Sequence, residues 1–299
     1  MPKFSANLSM MFTEHQFLDR FAAARRAGFD AVEFLFPYAE SAADVGTAVH
    51  QNNLEISVFN LSPGDWDAGD RGLAALAGRK QAFRDSVTQA LPYAKATGAK
   101  SLHIMAGLTP PDDVTEQTYI DNILFAADHF ATAGLELLIE PINPRDMPGY
   151  FLSHTDQALE LMSRIDHPTV RLQFDVYHHQ ITRGDLLKSL SAHFSHIGHI
   201  QIASVPDRHE PDSGEALGSK TVEEDSTSGV FDAANPEWTS ATFTARGALI
   251  YNKTLGDASS NSRGAIAILD FGGDFTVSGG TFKIVFPANT KDNAIVRID

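Results

Sequence analysis

The first two-thirds of the chain alternates short apolar runs with amphipathic stretches of helical length. Seven strand-like runs, from FSANLSM near the start to HIGHIQIA ending at Ala203, are separated by six helical patterns. The first of these helices is predicted to begin at Thr13, where Thr13 and Gln16 have capping-box spacing. Such alternation requires parallel strand pairing through right-handed crossovers, and strands this apolar are buried on both faces. The pattern therefore predicts an α/β fold.

Polar residues at the ends of the predicted strands favour a barrel over an open, doubly wound sheet. A barrel gathers such residues in a ring at its carboxyl-terminal mouth, whereas an open sheet concentrates them at one switch point. No glycine-rich phosphate fingerprint follows the first strand, which also argues against a nucleotide-binding sheet. The ring consists of Asn7, Glu33, Asn60, His103, Glu140, Asp175 and Gln201.

The alternation stops after about Ala216, before a barrel of eight strands is complete. The remainder, including GAIAILDFGG and TFKIVFPA, alternates apolar and polar residues between glycine-rich turns, as antiparallel strands do. We expect an incomplete TIM-type (β/α) barrel at residues 1–216 and a small all-β antiparallel segment at 217–299. Two unpaired strand edges would remain, for the C-terminal segment or a second copy in a homo-oligomer to cover.

Composition excludes several classes of function. The 299 residues carry a formal net charge of −15, which disfavours nucleic acid and anionic membranes as partners. The chain has no cysteine, so any metal must be held by oxygen or imidazole ligands. The N-terminal sequence lacks a continuous apolar stretch and no later segment reaches the length of a membrane span, so a cytoplasmic location is expected.

Three residues of the ring indicate a metal site. Glu140 follows LELLI, Asp175 ends VRLQFD and Gln201 ends HIGHIQ, one per strand-plus-helix unit. Oxygen ligands suit a hard divalent cation, and the carboxyl ends of barrel strands bring such ligands together. Each residue also has a simpler interpretation: a strand-end charge for Glu140, a helix cap for Asp175 and an ordinary polar strand residue for Gln201.

Four stretches carry a family resemblance: FNLSPGDWDAGDRG, IEPINPRDMPGYFL, QFDVYHHQ and HIQIASVPDRHEPDSGE. They resemble the hydroxypyruvate isomerase family, including the 2-oxo-tetronate isomerases, within the xylose-isomerase-like barrel superfamily, over about residues 1–216. The resemblance implies a divalent ion, Mg²⁺ or Mn²⁺, held by Glu, Asp, Gln and a second Glu from late barrel strands. Glu140, Asp175 and Gln201 match three of these ligands. The second glutamate has no counterpart after EPDSGE.

The activity implied by the resemblance is interconversion of a small hydroxy-oxo acid, of the hydroxypyruvate and tartronate semialdehyde type, through an enediolate. Glu140 would be one member of the acid–base pair, and His178 and Arg208 would face the substrate. Loss of the second glutamate implies impaired turnover. A sugar epimerase of the same superfamily is an alternative, because fold and metal site are shared and only mouth residues distinguish substrates.

The C-terminal segment resembles a different class of protein. The stretch KTVEEDSTSGVFDAANPEWTSATFTARGALIYNK, followed by AIAILDFGGDFTVSGGTFKIVF, is similar to the C-terminal part of small structural proteins of tailed phages. This resemblance implies a virion or assembly role. The chain is therefore interpreted as a fusion, and an inactive fusion with a phage structural role is a further alternative to the isomerase.

Overall fold

The computed structural model of the chain describes residues 3–205, 208, 221–225, 228–252, 264–286 and 296–298. It divides into two compact units, Pro2–Ala203 and Ser204–Asp299. The predicted boundary after residue 216 lies outside the described residues.

The first unit alternates strands with helices along the whole of its length. Two short 3₁₀ helices, Ala77–Arg79 and Phe194–His196, supplement them. The strands are β1 (Ser5–Asn7), β2 (Ala31–Phe34), β3 (Glu55–Asn60), β4 (Ser101–His103), β5 (Glu136–Ile139), β6 (Val170–Asp175) and β7 (Ile197–Gln201). The helices are α1 (Phe17–Arg26), α2 (Ala42–Gln51), α3 (Lys80–Thr97), α4 (Asp113–Ala133), α5 (Thr155–Ile165), α6 (Val176–Thr182) and α7 (Leu186–His193).

The seven strands form one parallel sheet in sequence order, β1 to β7. All parallel neighbours are joined by helical crossovers, which confirms the predicted α/β class and the incomplete barrel. Within the described residues, β1 and β7 are the outermost strands of this sheet. The core contains many aromatic rings, among them Phe34 and Phe59, which stack with centroids 5.7 Å apart. Because all seven strands run parallel, their carboxyl ends lie on one edge of the sheet.

The helix ends agree with some of the capping signals in the sequence and differ from others. Helix α4 begins with a capping box between Asp112 and Thr115 and ends at Gly134 in the left-handed conformation. The expected start of α1 at Thr13 is wrong: α1 begins at Phe17, and Gln16 is an N-cap without a side-chain hydrogen bond. Helix α6 was not among the six predicted helical patterns, although the interpretation of Asp175 as a helix cap allowed for it; α6 starts at Val176 with Asp175 as its N-cap. Among the described residues, no helix combines the length and apolarity needed to cross a membrane.

The second unit contains antiparallel strands, as predicted. Strands β8 (Thr221–Asp225), β9 (Ser228–Asp232) and β12 (Val296–Ile298) form a three-stranded sheet in the order β12-β9-β8. Strands β10 (Glu237–Asn252) and β11 (Gly264–Lys283) form a long antiparallel pair with several register shifts.

Gly46 provides a test of the packing between α2 and α3. A Cβ atom at this position would lie 2.6 Å from the Ala96 carbonyl oxygen. We expect Gly46→Ala to lower the free energy of unfolding by about 1–3 kcal/mol, because the overlap outweighs the roughly 1 kcal/mol that alanine gains in a helix. Urea denaturation followed by circular dichroism measures this. The control is Gly78→Ala, since a Cβ at Gly78 has open space. Equal stability of both variants would contradict the close packing.

Candidate metal centre

A buried cluster of Glu140, Asp175 and His178 lies at the carboxyl ends of β5 and β6. Glu140 directly follows β5, Asp175 is the last residue of β6, and His178 lies in the first turn of α6. One ligand atom from each lies within 4.8 Å of the other two. The structure thus brings together two of the predicted ligands, and it adds His178, which the resemblance had assigned to the substrate.

Asp175 both caps a helix and faces the cluster. Its Oδ1 accepts hydrogen bonds from the backbone N–H groups of Tyr177, at 2.8 Å, and His178, at 3.4 Å. Its Oδ2 lies 3.6 Å from His178 Nε2. The simpler interpretation of Asp175 as a cap therefore holds, but it accounts for one carboxylate oxygen and leaves the other directed at the cluster.

The hydrogen bonds of Asn143 determine which nitrogen of His178 carries the proton. Asn143 Oδ1 accepts from the Asp146 backbone N–H at 2.9 Å, so the amide nitrogen is the atom that faces His178. This Nδ2 lies 2.7 Å from His178 Nδ1, and the Asn143 backbone N–H also points at Nδ1 from 3.5 Å. Nδ1 is therefore an acceptor, and in the neutral ring Nε2 carries the hydrogen. That N–H points toward the two carboxylates.

Glu140 lies between two imidazoles. Its Oε1 is 3.9 Å from His178 Nε2, and its Oε2 is 3.6 Å from His103 Nε2. Burial, and to a smaller degree the charge of Glu140, raise the pKa of the nearby Tyr150 phenol, which keeps that group neutral. The Tyr150 hydroxyl accepts a hydrogen bond from the Ala106 backbone N–H at 2.8 Å. The Glu140 side chain is 5% exposed, and Asp175 is a second carboxylate in the same cluster.

His103, the last residue of β4, was recognised from the sequence only as a member of the polar ring. Burial, and secondarily the proximity of His199, lower the pKa of His103 to about 3. The ring is consequently neutral at any physiological pH. Its side chain is 1% exposed, as expected for the interior of the sheet.

Gln201 lies next to Asp175 in the β6–β7 register, and a second polar network holds its amide. Gln201 Nε2 donates to Glu33 Oε1 at 2.6 Å, and Gln201 Oε1 accepts from Gln173 Nε2 at 3.0 Å. The other oxygen of Glu33 lies 2.8 Å from His199 Nε2. Because Glu33 belongs to β2, this network joins β7 to β2 through the interior of the curled sheet. A charged residue inside the apolar run AVEFLF was the sequence signal for Glu33.

Arg208 belongs to the second unit. It has a positive φ of 58°, and its backbone N–H donates to the Ser204 carbonyl at 2.9 Å. Its assignment to the substrate carboxylate stays a prediction.

The residues of the cluster fit a hard divalent cation. Two carboxylates lie buried within a few ångströms of each other, an arrangement that is unfavourable unless positive charge compensates it. Carboxylate and amide oxygens are the ligands that Mg²⁺ and Mn²⁺ prefer, and the neighbouring imidazole is compatible with Mn²⁺. Glu140 and Asp175 carry such oxygens in the cluster, and Gln201, paired with Asp175 in the register of β6 and β7, carries a third.

Comparison with known proteins identifies the family of the chain. Residues 21–224 match the Xylose isomerase-like TIM barrel family. The chain belongs to that family. It is 51% identical over 218 residues to a 2-oxo-tetronate isomerase of Cupriavidus necator, which covers 72% of this chain and 84% of the relative. It is 42% identical to the hydroxypyruvate isomerase of Escherichia coli, again over 72% and 84% of the two chains.

A solved structure supports the same relationship. The crystal structure of an AP endonuclease, family 2, from Brucella melitensis has a TM-score of 0.70 and is 50% identical. The match covers 72% of this chain and 84% of that one. The predicted membership of the hydroxypyruvate isomerase and 2-oxo-tetronate isomerase group within the xylose-isomerase-like barrels is confirmed.

Replacing Asp175 with asparagine separates its two roles. Asparagine caps helices as well as aspartate does, so Asp175→Asn should not lower the stability of the metal-free protein. Mn²⁺ affinity, measured by titration calorimetry, should fall by more than about tenfold, since even residues that only orient a ligand contribute about 10–100-fold. The matched control is Asp112→Asn, which alters the N-cap of α4 in the same way. Equal Mn²⁺ affinity in both variants would contradict the proposed site.

Removal of Glu33 tests the network that joins β2 to β7. Glu33→Ala leaves His199 Nε2 and Gln201 Nε2 without their acceptor, and we expect a loss of about 3 kcal/mol in the free energy of unfolding. Glu55→Ala, at the start of β3, removes an exposed carboxylate that pairs with Lys3 and should cost at most about 0.5 kcal/mol. Urea denaturation compares the two. A loss for Glu33→Ala no larger than the control's would mean that the network adds no stability.

Proposed function

We propose that the chain catalyses the divalent-metal-dependent isomerisation of a small hydroxy-oxo acid of the hydroxypyruvate and 2-oxo-tetronate type. The observation that carries the proposal is the buried Glu140, Asp175 and His178 cluster at the carboxyl ends of parallel strands. The names of the relatives supply the substrate class. The cluster offers a carboxylate for proton transfer, oxygen ligands for a divalent cation and an imidazole for an enediolate oxygen.

Mg²⁺ or Mn²⁺, held by Glu140, Asp175 and Gln201, would bind two substrate oxygens and stabilise negative charge on them. Both ends of the Gln201 amide are held, Nε2 by Glu33 and Oε1 by Gln173, so the second lone pair of Oε1 is the one that would bind the cation. Glu33 is therefore proposed to orient this ligand, in the way that outer residues orient ligands in other metal sites.

The residues of the chain can perform the proton transfers. In hydroxypyruvate, Glu140 would take a proton from C3, which leaves an enediolate. Return of a proton to C2, with the C3 hydroxyl proton passing to the C2 oxygen, gives tartronate semialdehyde. The His178 Nε2–H, fixed by Asn143, would donate a hydrogen bond to an enediolate oxygen. Arg208 is proposed to pair with the substrate carboxylate through its planar guanidinium.

The family resemblance implies a second glutamate, for which the sequence offers no counterpart. We propose that Glu140 serves both carbons: it takes the proton from C3 and returns it to C2 on the same face. A single carboxylate that replaces an acid–base pair predicts slow turnover, by about 10²–10⁴-fold relative to an enzyme with both groups.

The test is conversion of hydroxypyruvate by the full chain with added Mn²⁺, followed by NMR. Glu140→Gln should lower the rate by at least about 10²-fold, because the proton acceptor is lost. Glu136→Gln, an exposed position at the start of the same strand, should leave the rate unchanged. Chelation of the metal should abolish turnover. Turnover that survives both chelation and Glu140→Gln would contradict the proposal.

Deuterium at C3 of the substrate tests the single-carboxylate route. Transfer of the label to C2 is expected if Glu140 serves both carbons, whereas complete exchange with solvent would indicate a second group. A keto-sugar tested in parallel distinguishes a sugar epimerase. No turnover of either compound by the folded chain would favour an inactive fusion. The phage resemblance of residues 217–299 and homo-oligomerisation through the open edge of the sheet both stay predictions.

A further inference from the structure

We propose that His103 is a substrate-binding residue of this site, whose Nε2 hydrogen-bonds an oxygen of the hydroxy-oxo acid held against Glu140. The inference rests on the proposed function and adds a binding group to it. It is carried by the position of His103, by its burial and by the hydrogen bonds that its ring does not make.

The backbone holds His103 rigidly at the edge where the site lies. It is the last residue of β4, paired with Asn60 of β3 and Leu138 of β5. Its carbonyl accepts a hydrogen bond from the Leu61 N–H at 2.9 Å. The side chain points to the cluster, with Nε2 at 3.6 Å from Glu140 Oε2. That distance is too long for a hydrogen bond, but it places a ring nitrogen directly beside the proposed proton acceptor.

Both ring nitrogens of His103 are buried, and neither has a hydrogen-bond partner among the described residues. This is unusual, because the large majority of buried polar side-chain atoms in folded proteins are paired. Three other histidines near the site each have a hydrogen-bond partner at one ring nitrogen or more. Nδ1 of His178 lies against Asn143, Nδ1 of His179 against the Thr155 hydroxyl, and Nε2 of His199 against Glu33.

An unpaired imidazole in an apolar interior is unfavourable, and a bound ligand that supplies the missing partner removes the penalty. The ligand best placed to do so is the substrate. His178 faces Glu140 Oε1, and His103 faces Glu140 Oε2, so the two rings flank the carboxylate at its two oxygens. A substrate carbon that approaches Glu140 therefore brings an attached oxygen within reach of His103 Nε2.

The geometry assigns His103 to the substrate rather than to the cation. The ligand atoms that converge within 4.8 Å come from Glu140, Asp175 and His178, and His103 is not one of them. Replacing His103 should thus weaken substrate binding and leave the affinity for the metal unchanged, which separates the two roles experimentally.

The experiment compares His103→Leu and His103→Gln with the unaltered full chain. For His103→Leu we expect KM for hydroxypyruvate, and its Kd by titration calorimetry with Mn²⁺ present, to rise about 10–100-fold. His103→Gln, which keeps a donor, should lose less. Mn²⁺ affinity should stay within about twofold. Thermal stability should not fall, because leucine removes an unpaired polar group from the interior; a merely structural histidine predicts the opposite.

Tyr119→Phe is the matched control, because the Tyr119 hydroxyl is also buried without a hydrogen-bond partner among the described residues, and Tyr119 lies in α4, outside the cluster of Glu140, Asp175 and His178. It should change neither KM nor Kd. Unchanged KM and Kd in His103→Leu would overturn the assignment of His103 and leave the isomerase proposal standing. A loss of Mn²⁺ affinity as large as that of Glu140→Gln would also overturn it, in favour of a metal ligand.

The outcome for the unaltered chain separates the two proposals. If it binds hydroxypyruvate without converting it, the proposed function fails, and a weaker Kd in His103→Leu still supports the role of His103. If it neither binds nor converts hydroxypyruvate, both proposals are overturned.

Discussion

Three carboxylates, those of Glu33, Asp175 and Glu140, are buried at the carboxyl ends of the strands, and a carboxylate withdrawn from water must be compensated by donors or by positive charge. Glu33 receives the Gln201 amide and the His199 ring, and Asp175 receives two backbone N–H groups. The hydrogen bonds to Glu33 connect β2 with β7. Compensation of Asp175 begins α6, which in turn presents His178 to the site.

The same constraint links structure to chemistry. Glu140 and the second oxygen of Asp175 lie together beside His178 and His103, where the proposed divalent cation would compensate two carboxylates withdrawn from water. Asn143 fixes the tautomer of His178: a neutral ring that accepts a hydrogen bond at Nδ1 carries its hydrogen on Nε2, which faces the site. Support of this kind from residues behind the site is what holds catalytic groups within tight geometric limits.

Much of the fold was predictable from the sequence, and the reason is that its signals are local. Seven apolar runs became seven strands, and the polar residues that end them lie on one edge because parallel strands all point the same way. The errors were local as well. The capping signal at Thr13 does not start a helix. Helix α6 has too few residues, seven, to show a periodicity, and only the interpretation of Asp175 as a cap pointed to it.

The site was only partly predictable. Glu140 and Asp175 meet as expected, because each ends a neighbouring strand. The pairing of Gln201 with Glu33, residues 168 positions apart, depends on how far the sheet curls, and no periodicity encodes that. The sequence by itself determined the parallel architecture and the set of polar groups available at the strand ends. Only the tertiary structure decided which of them touch, because contacts between distant residues follow from accumulated twist rather than from local propensity.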